Sequence, residues 1–188
     1  MKLAIMGGTF NPPHFGHLFF ANEVRQKIGY DKIIFVPSCI SAHKIKDINT
    51  SDSHRLNMVK LAIQNLDWAQ VSTCDLERGG VTRTVDTIND IYKEFSLSEK
   101  PGFILGDDLI EGFSKWKEPD QLANISDLII GSREGSNLDF KYKHITVDNR
   151  VYPLSSSEIR NRVKKGVDID FLMPVKVIEY IKKNELYR

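Results

Sequence analysis

Short, continuously apolar runs alternate with stretches of helical period, and this alternation constrains the fold more than any other feature of the chain. The runs at 3–6 (LAIM), 32–36 (KIIFV), 103–105 (FIL), 128–131 (LIIG) and 145–147 (ITV) read as strands, with a weaker one at 71–73. Between them lie amphipathic segments. In 18–28, Leu18, Ala21, Val24 and Ile28 fall on one face. In 53–66, Leu56, Val59, Ile63 and Leu66 do so, with Ser51 or Asp52 as the cap. In 84–95 the stripe is Val85, Ile88, Ile91 and Phe95, and further helices are expected at 157–164 and 175–183. Strands that are apolar throughout, rather than at alternate positions, belong to a sheet covered on both faces. Alternation with helices points to βαβ units. The expected fold is therefore α/β: an open, doubly wound, Rossmann-like parallel sheet with helices on both faces.

Composition narrows the partners. Lys plus Arg is 26 and Asp plus Glu is 25, a formal net charge of +1. That balance lacks the basic excess of a dedicated nucleic-acid binder. A chain of 188 residues suits one domain, expected over 1–188 with a C-terminal helical part from about 155 to 188. No apolar run has the ~20 residues of a membrane span, and the apolar start is too short for a signal-peptide core. Cys39 and Cys74 form no CxxC pair and no zinc-ligand spacing, so two reduced thiols are expected. Together these features give an expected cytoplasmic location. The stretches 41–53 and 134–143 are polar and read as loops, and the oligomeric state is left open, a homo-oligomer included.

Doubly wound sheets bind ligands outside the carboxyl ends of their strands, so the residues after each strand are the functional candidates. The first strand runs into Gly7-Gly8-Thr9-Phe10-Asn11-Pro12-Pro13-His14-Phe15-Gly16-His17. The glycines permit a tight turn and close approach of a ligand. His14 and His17 stand around a glycine where a helix begins. Helix N–H groups and imidazole donors there would hold a phosphate and stabilise developing charge. The alternative is a Gly turn with two surface histidines. Neither the GxGxxG fingerprint nor a Walker Gly-Lys-Ser/Thr is present. Ser155, Ser156 and Ser157 precede a helix with Arg160 one turn in, either a second anion site or an ordinary capped helix. His43 and Lys44 lie on a polar loop and read as phosphate ligands or as a solvated loop. Gly106 and Asp108 follow a strand, where the carboxylate would meet ribose hydroxyls or cap a helix. Trp116 would stack on a flat ring or sit in the core.

These segments carry a resemblance. GGTFNPPHFGH resembles the GGTFDPxHxGH signature of nicotinate mononucleotide adenylyltransferases, in the HxGH nucleotidyltransferase superfamily. In the same order, Pro37…His43-Lys44 is similar to the family's loop after the second strand, and Leu105-Gly106-Asp107-Asp108 to its IIGxD. Trp116 resembles the tryptophan of its F…W segment, Ile130-Gly131-Ser132-Arg133 its LIVxxR element, and Leu154–Arg160 its ISSTxIR motif. The ending Tyr180-Ile181…Leu186-Tyr187-Arg188 is similar to a YI…GLY tail. Two positions depart. Thr82-Arg83-Thr84-Val85-Asp86-Thr87 carries Arg83 where the family has an aromatic, and Asn11 stands where Asp is usual. An arginine can stack on a pyridine ring or pair with a carboxylate. Asn11 is expected to bond locally in its turn.

The resemblance implies that ATP and nicotinate mononucleotide give nicotinate adenine dinucleotide and pyrophosphate, in NAD biosynthesis. The mononucleotide phosphate would attack the α-phosphorus directly, a chemistry of positioning and charge neutralisation. The implied catalytic set is His14, His17, Lys44 and Arg160. The implied ATP side is Gly7, Gly8, Thr9, Phe10, His14, His17, Gly106, Asp108, Ser155, Ser156, Ser157 and Arg160. The implied mononucleotide side is Lys44, Thr82, Arg83, Thr84, Trp116 and Arg133. Mg²⁺ would arrive on ATP, with no protein metal site. The positive charge expected to matter is local, on His14, His17, Lys44 and Arg160. Competing readings are an adenylyltransferase for nicotinamide mononucleotide, a pantetheine-phosphate adenylyltransferase, a non-catalytic nucleotide-binding module and a synthetase-like fragment.

Overall fold

The computed structural model describes residues 1–41, 50–132, 139–148 and 154–188. In chain order the elements are β1 (Leu3–Gly8), α1 (Phe15–Ile28), β2 (Lys32–Pro37), β3 (Ile40–Ser41), α2 (Asp52–Ile63), β4 (Ala69–Val71), α3 (Cys74–Arg78), β5 (Val81–Thr82) and α4 (Thr84–Glu94). There follow β6 (Gly102–Gly106), two 3-10 turns at Asp107–Leu109 and Phe113–Lys115, α5 (Pro119–Ile125), β7 (Asp127–Ser132), β8 (His144–Asp148), α6 (Ser156–Lys164) and α7 (Val175–Lys183).

Six strands form one parallel sheet in the order β4-β2-β1-β6-β7-β8. The chain starts in the middle, winds outward to β4, then returns to β6 beside β1 and winds the other way. The direction of winding reverses between β1 and β6, and a crevice opens there beyond the strand ends. The doubly wound reading holds.

Alternate residues of each central strand feed two apolar layers. Ala4 and Met6 of β1, Ile33 and Phe35 of β2, and Ile104 of β6 face the layer shared with α1, α2, α6 and α7. Leu3 and Ile5, Ile34 and Val36, and Phe103 and Leu105 face the other, filled by Ile88 and Ile91 of α4 and Leu122 of α5. Each fully buried aliphatic side chain contributes about 1.5–3 kcal/mol. Glycines let the layers close: a Cβ on Gly131 would lie 2.3 Å from the Phe20 ring, and one on Gly102 2.4 Å from the Tyr30 hydroxyl.

Several boundaries differ from the sequence reading. Helix α1 begins at Phe15, so Gly16 and His17 belong to its first turn. The weak strand is β4 at Ala69–Val71, earlier than 71–73, and it is a half-exposed edge strand with little apolar signal. Helices α3 and α5 and the two-stranded β3–β5 ribbon are too short to carry a period. Cys39 and Cys74 are free thiols. Among the described residues no helix is long and apolar enough to cross a membrane.

Candidate active site

The loop after β1 ends where α1 begins, and it lies beside the crevice. Phe10 is buried at φ +48°, and its ring packs over Gly8, where a Cβ would meet it at 3.1 Å. The Asn11–Pro12 peptide is cis. His14 is the N-cap of α1. Its backbone N–H donates to His17 Nδ1 at 3.2 Å. A neutral His17 with Nδ1 accepting must carry its proton on Nε2, so its other ring nitrogen is a donor. The two rings lie 3.8 Å apart between centroids, and the Phe10 ring meets His17 edge-on at 5.1 Å.

His14 is buried, and burial lowers its pKa from 6.5 to about 4. It is therefore neutral at pH 7, which corrects the expectation that it supplies local positive charge. Its Nδ1 has no hydrogen-bond partner among the described residues. A buried nitrogen left so costs about 1–3 kcal/mol. Gly16 explains the glycine between the histidines: a Cβ there would lie 3.0 Å from the His14 ring.

Fewer N–H groups are open at the start of α1 than the sequence suggests. Phe15 N–H donates to Leu172 O at 3.0 Å and His17 N–H to His14 O at 3.0 Å. No acceptor for Gly16 N–H lies among the described residues. The second terminus supplies more. Ser155 caps α6, its hydroxyl accepting from Glu158 N–H at 3.1 Å. The Ser156 hydroxyl donates to Pro12 O at 2.9 Å, stitching α6 to the first loop. Arg160 Nη1 donates to Asn11 O at 2.9 Å and its Nη2 to Ser157 Oγ at 3.1 Å. The guanidinium thus spans the loop and the helix, with further N–H donors remaining on the fork. The backbone N–H groups of Ser156 and Ser157 stay without internal acceptors among the described residues, as first-turn groups do.

Across the crevice, Gly106 ends β6. Asp108 is exposed and folds its carboxyl over Gly106, where a Cβ would lie 2.4 Å from Oδ1. It lies inside a 3-10 turn and is not the N-cap residue. Trp116 is half-buried, its ring 5.1 Å from Phe113 and edge-on to Phe103 at 6.4 Å. Thr82 accepts from Cys39 N–H at 3.0 Å, Arg83 is the exposed N-cap of α4, and Thr84 is its first residue. Gly7 and Gly8 end β1, and Thr9 follows it. His43, Lys44 and Arg133 lie outside the described residues.

Three side chains that shape this site have no site role in the sequence reading. Arg55 of α2 is wholly buried, its guanidinium donating to Thr9 O and Cys39 O. Its signal was its place on the buried stripe of α2, with Met58, Val59, Ala62 and Ile63. Tyr187 donates to Asn11 Oδ1 at 2.6 Å, so Asn11 bonds to the far end of the chain and not locally. Burial pushes the Tyr187 phenol well above its ordinary pKa. Asp75 is buried beneath the start of α4. It accepts from Thr87 Oγ1 at 2.6 Å and pairs with Arg78, and burial raises its carboxyl above the usual range.

Comparison with known proteins agrees with this geometry. The cytidylyltransferase-like family model matches residues 5–162. A protein of Borreliella burgdorferi named "Probable nicotinate-nucleotide adenylyltransferase" is 43% identical over 188 residues, which are 100% of this chain and 97% of that protein. A protein of Dictyoglomus turgidum with the same name is 42% identical over 196 aligned residues, covering 100% and 96%. The solved structure of Plasmodium falciparum nicotinic acid mononucleotide adenylyltransferase complexed with NaAD superposes with a TM-score of 0.77 at 25% identity, covering 99% of this chain and 97% of that one. A matching family model across most of the chain and relatives above 40% identity over its whole length leave one assignment: the chain belongs to the cytidylyltransferase-like family and, within it, to the nicotinate-nucleotide adenylyltransferases.

Proposed function

We propose that the protein transfers AMP from ATP to nicotinate mononucleotide, giving nicotinate adenine dinucleotide and pyrophosphate, as a step of NAD biosynthesis in the cytoplasm. One observation carries the reading: the His14–His17 pair opens α1 at the switch point of the sheet, with α6 and Arg160 stitched to the same loop. We take the whole of 1–188 as one catalytic unit.

In this reading ATP lies across β1 and β6. Gly7, Gly8, Thr9 and Phe10 form the floor under it, and Asp108 accepts from its ribose hydroxyls. The triphosphate runs toward the two helix N-termini, where Gly16, Ser156 and Ser157 offer backbone N–H groups. His17 donates from Nε2 to an oxygen on the α-phosphate and stabilises the charge that builds there. His14, neutral, acts as a hydrogen-bonding group and not as a cation. Arg160, with Lys44, neutralises the departing pyrophosphate. Mg²⁺ would arrive with ATP as part of the substrate and would supply charge neutralisation to its phosphates.

The mononucleotide lies on the side of Thr82, Arg83, Thr84 and Trp116, with the Trp116 ring stacking on the pyridine, and Arg133 is assigned to it from its motif alone. Its phosphate attacks the α-phosphorus in line. The new bond is phosphate oxygen to α-phosphorus, and the bond broken is from α-phosphorus to the bridging oxygen that leaves with pyrophosphate. No covalent enzyme intermediate is involved, so catalysis rests on alignment and electrostatics. Replacement of His17 tests this. His17→Ala should lower kcat more than ~100-fold, the scale of a lost transition-state donor. Turnover within a few-fold of the parent would remove His17 from this role.

A further inference from the structure

Arg55 is 0% exposed and carries no assigned role, and its three polar contacts lie on three segments. Nη1 donates to Thr9 O at 2.8 Å, in the loop after β1. Nη2 donates to Cys39 O at 3.1 Å, after β2, and contacts Asp52 Oδ1 at 2.5 Å, at the start of its own helix. Its Nε has no partner among the described residues. Asp52 is half-exposed, so it neutralises the guanidinium only in part. A buried cation so poorly balanced is costly, and an apolar residue would fit the buried stripe of α2 better. The carbonyls explain what the charge does there.

The Cys39 carbonyl is one end of a short chain of bonds. Cys39 N–H donates to Thr82 Oγ1 at 3.0 Å, and Ile40 of β3 pairs with Val81 of β5. Thr9 lies on the ATP side of the proposed site, and Thr82 begins the mononucleotide side. Arg55 therefore clips together the two backbones that carry the two substrates. The planar guanidinium holds two carbonyls on separate loops at a fixed spacing from two different nitrogens, whereas the three donors of Lys radiate from one nitrogen on a flexible stem and cannot keep that spacing.

We infer that Arg55 is a positioning residue that sets the spacing between the ATP and mononucleotide half-sites. It touches neither substrate. It acts through the Thr9 and Cys39 carbonyls, and this assignment rests on the reaction proposed above.

The consequence is a separation of binding from turnover. Without the clip each half-site still binds its own substrate, but the attacking phosphate and the α-phosphorus no longer meet in line. A misplacement of about 1 Å costs on the order of 100-fold in rate. The experiment is steady-state kinetics of Arg55→Lys, well below its Tm, with MgATP and nicotinate mononucleotide. It is paired with amide hydrogen exchange of the peptides containing Thr9 and Cys39. The expected result is a fall in kcat of about 100-fold, both KM values within about threefold of the parent, and faster exchange in both peptides. Unchanged kcat, or a kcat loss matched by equal rises in both KM values, would overturn the inference. Should Arg55→Lys not fold, Asp52→Asn keeps the fork and withdraws its counter-charge. There a kcat loss of roughly threefold or more at unchanged KM is expected, and full kcat with parental exchange would overturn the inference. Exchange of the two peptides needs no turnover. If the parent protein fails to use nicotinate mononucleotide, the proposed reaction falls while exchange still decides whether Arg55 holds the two loops.

Discussion

His14 and His17 stand one turn apart, and the fold gives them different states. His17 is half-buried and turned into a donor by a backbone N–H that occupies its Nδ1. His14 is buried and held neutral, its pKa lowered to about 4. The spacing of the motif was legible in the sequence, but this difference was not. It depends on Phe10, Gly16 and Leu172, which the fold brings around the pair. The lowered pKa also makes a prediction about stability. Below pH 6.5 the unfolded chain takes up a proton that the folded chain refuses until near pH 4. The folded state therefore loses stability as pH falls across that window, and the group has no effect above it. Between pH 7 and pH 4.5 His14 alone accounts for on the order of 2 kcal/mol. Urea unfolding at the two pH values should show the parent losing about that much more than His14→Asn. Equal losses would mean that His14 is not buried in the neutral form.

At the scale of elements, the site is a joint between the first loop and the last helices. Three contacts make it: Ser156 to Pro12, Arg160 to Asn11, and Tyr187 to Asn11. The strands flanking the joint were legible because buried parallel strands are apolar throughout. The helices α1, α2 and α4 were legible from their stripes. Arg55 was not, because the expected stripe of Leu56, Val59, Ile63 and Leu66 left it outside, whereas the buried face is Arg55, Met58, Val59, Ala62 and Ile63. Asp75 sits in a helix of one turn, too short for any period, and β4 was misplaced because half-exposed edge residues leave little pattern. The joint also sets what α1 tolerates. Gly16 lies against the His14 ring, so Gly16→Ala must push that ring or the turn by several tenths of an ångström. Such a shift should lower kcat by about 10–100-fold with little change in Tm, since the turn is at a helix start and outside the core. Thermal melts and initial rates of the same variant check this, and parental turnover would show that the ring can move without cost to the reaction.

For the molecule as a whole, the net charge of +1 spoke against a broadly basic surface but not against anionic substrates. The doubly wound order was inferred from strand and helix alternation alone, and the sheet bears it out. The order of strands places the crevice between β1 and β6, with Gly7–Thr9 and Gly106–Asp108 at the ends of these neighbouring strands. What alternation could not supply was the second half of the site, because α6 and α7 return to β1 only through tertiary contacts. Among the described residues, positive charge at the site comes from Arg160 and from two helix N-termini, while His14 adds hydrogen bonding without charge. The central claim is that this joint adenylates the acid form of the pyridine mononucleotide. The direct measurement is pyrophosphate release by the purified protein with MgATP and either nicotinate or nicotinamide mononucleotide. The account predicts a clearly higher kcat/KM with the nicotinate form, and equal or reversed values would contradict it.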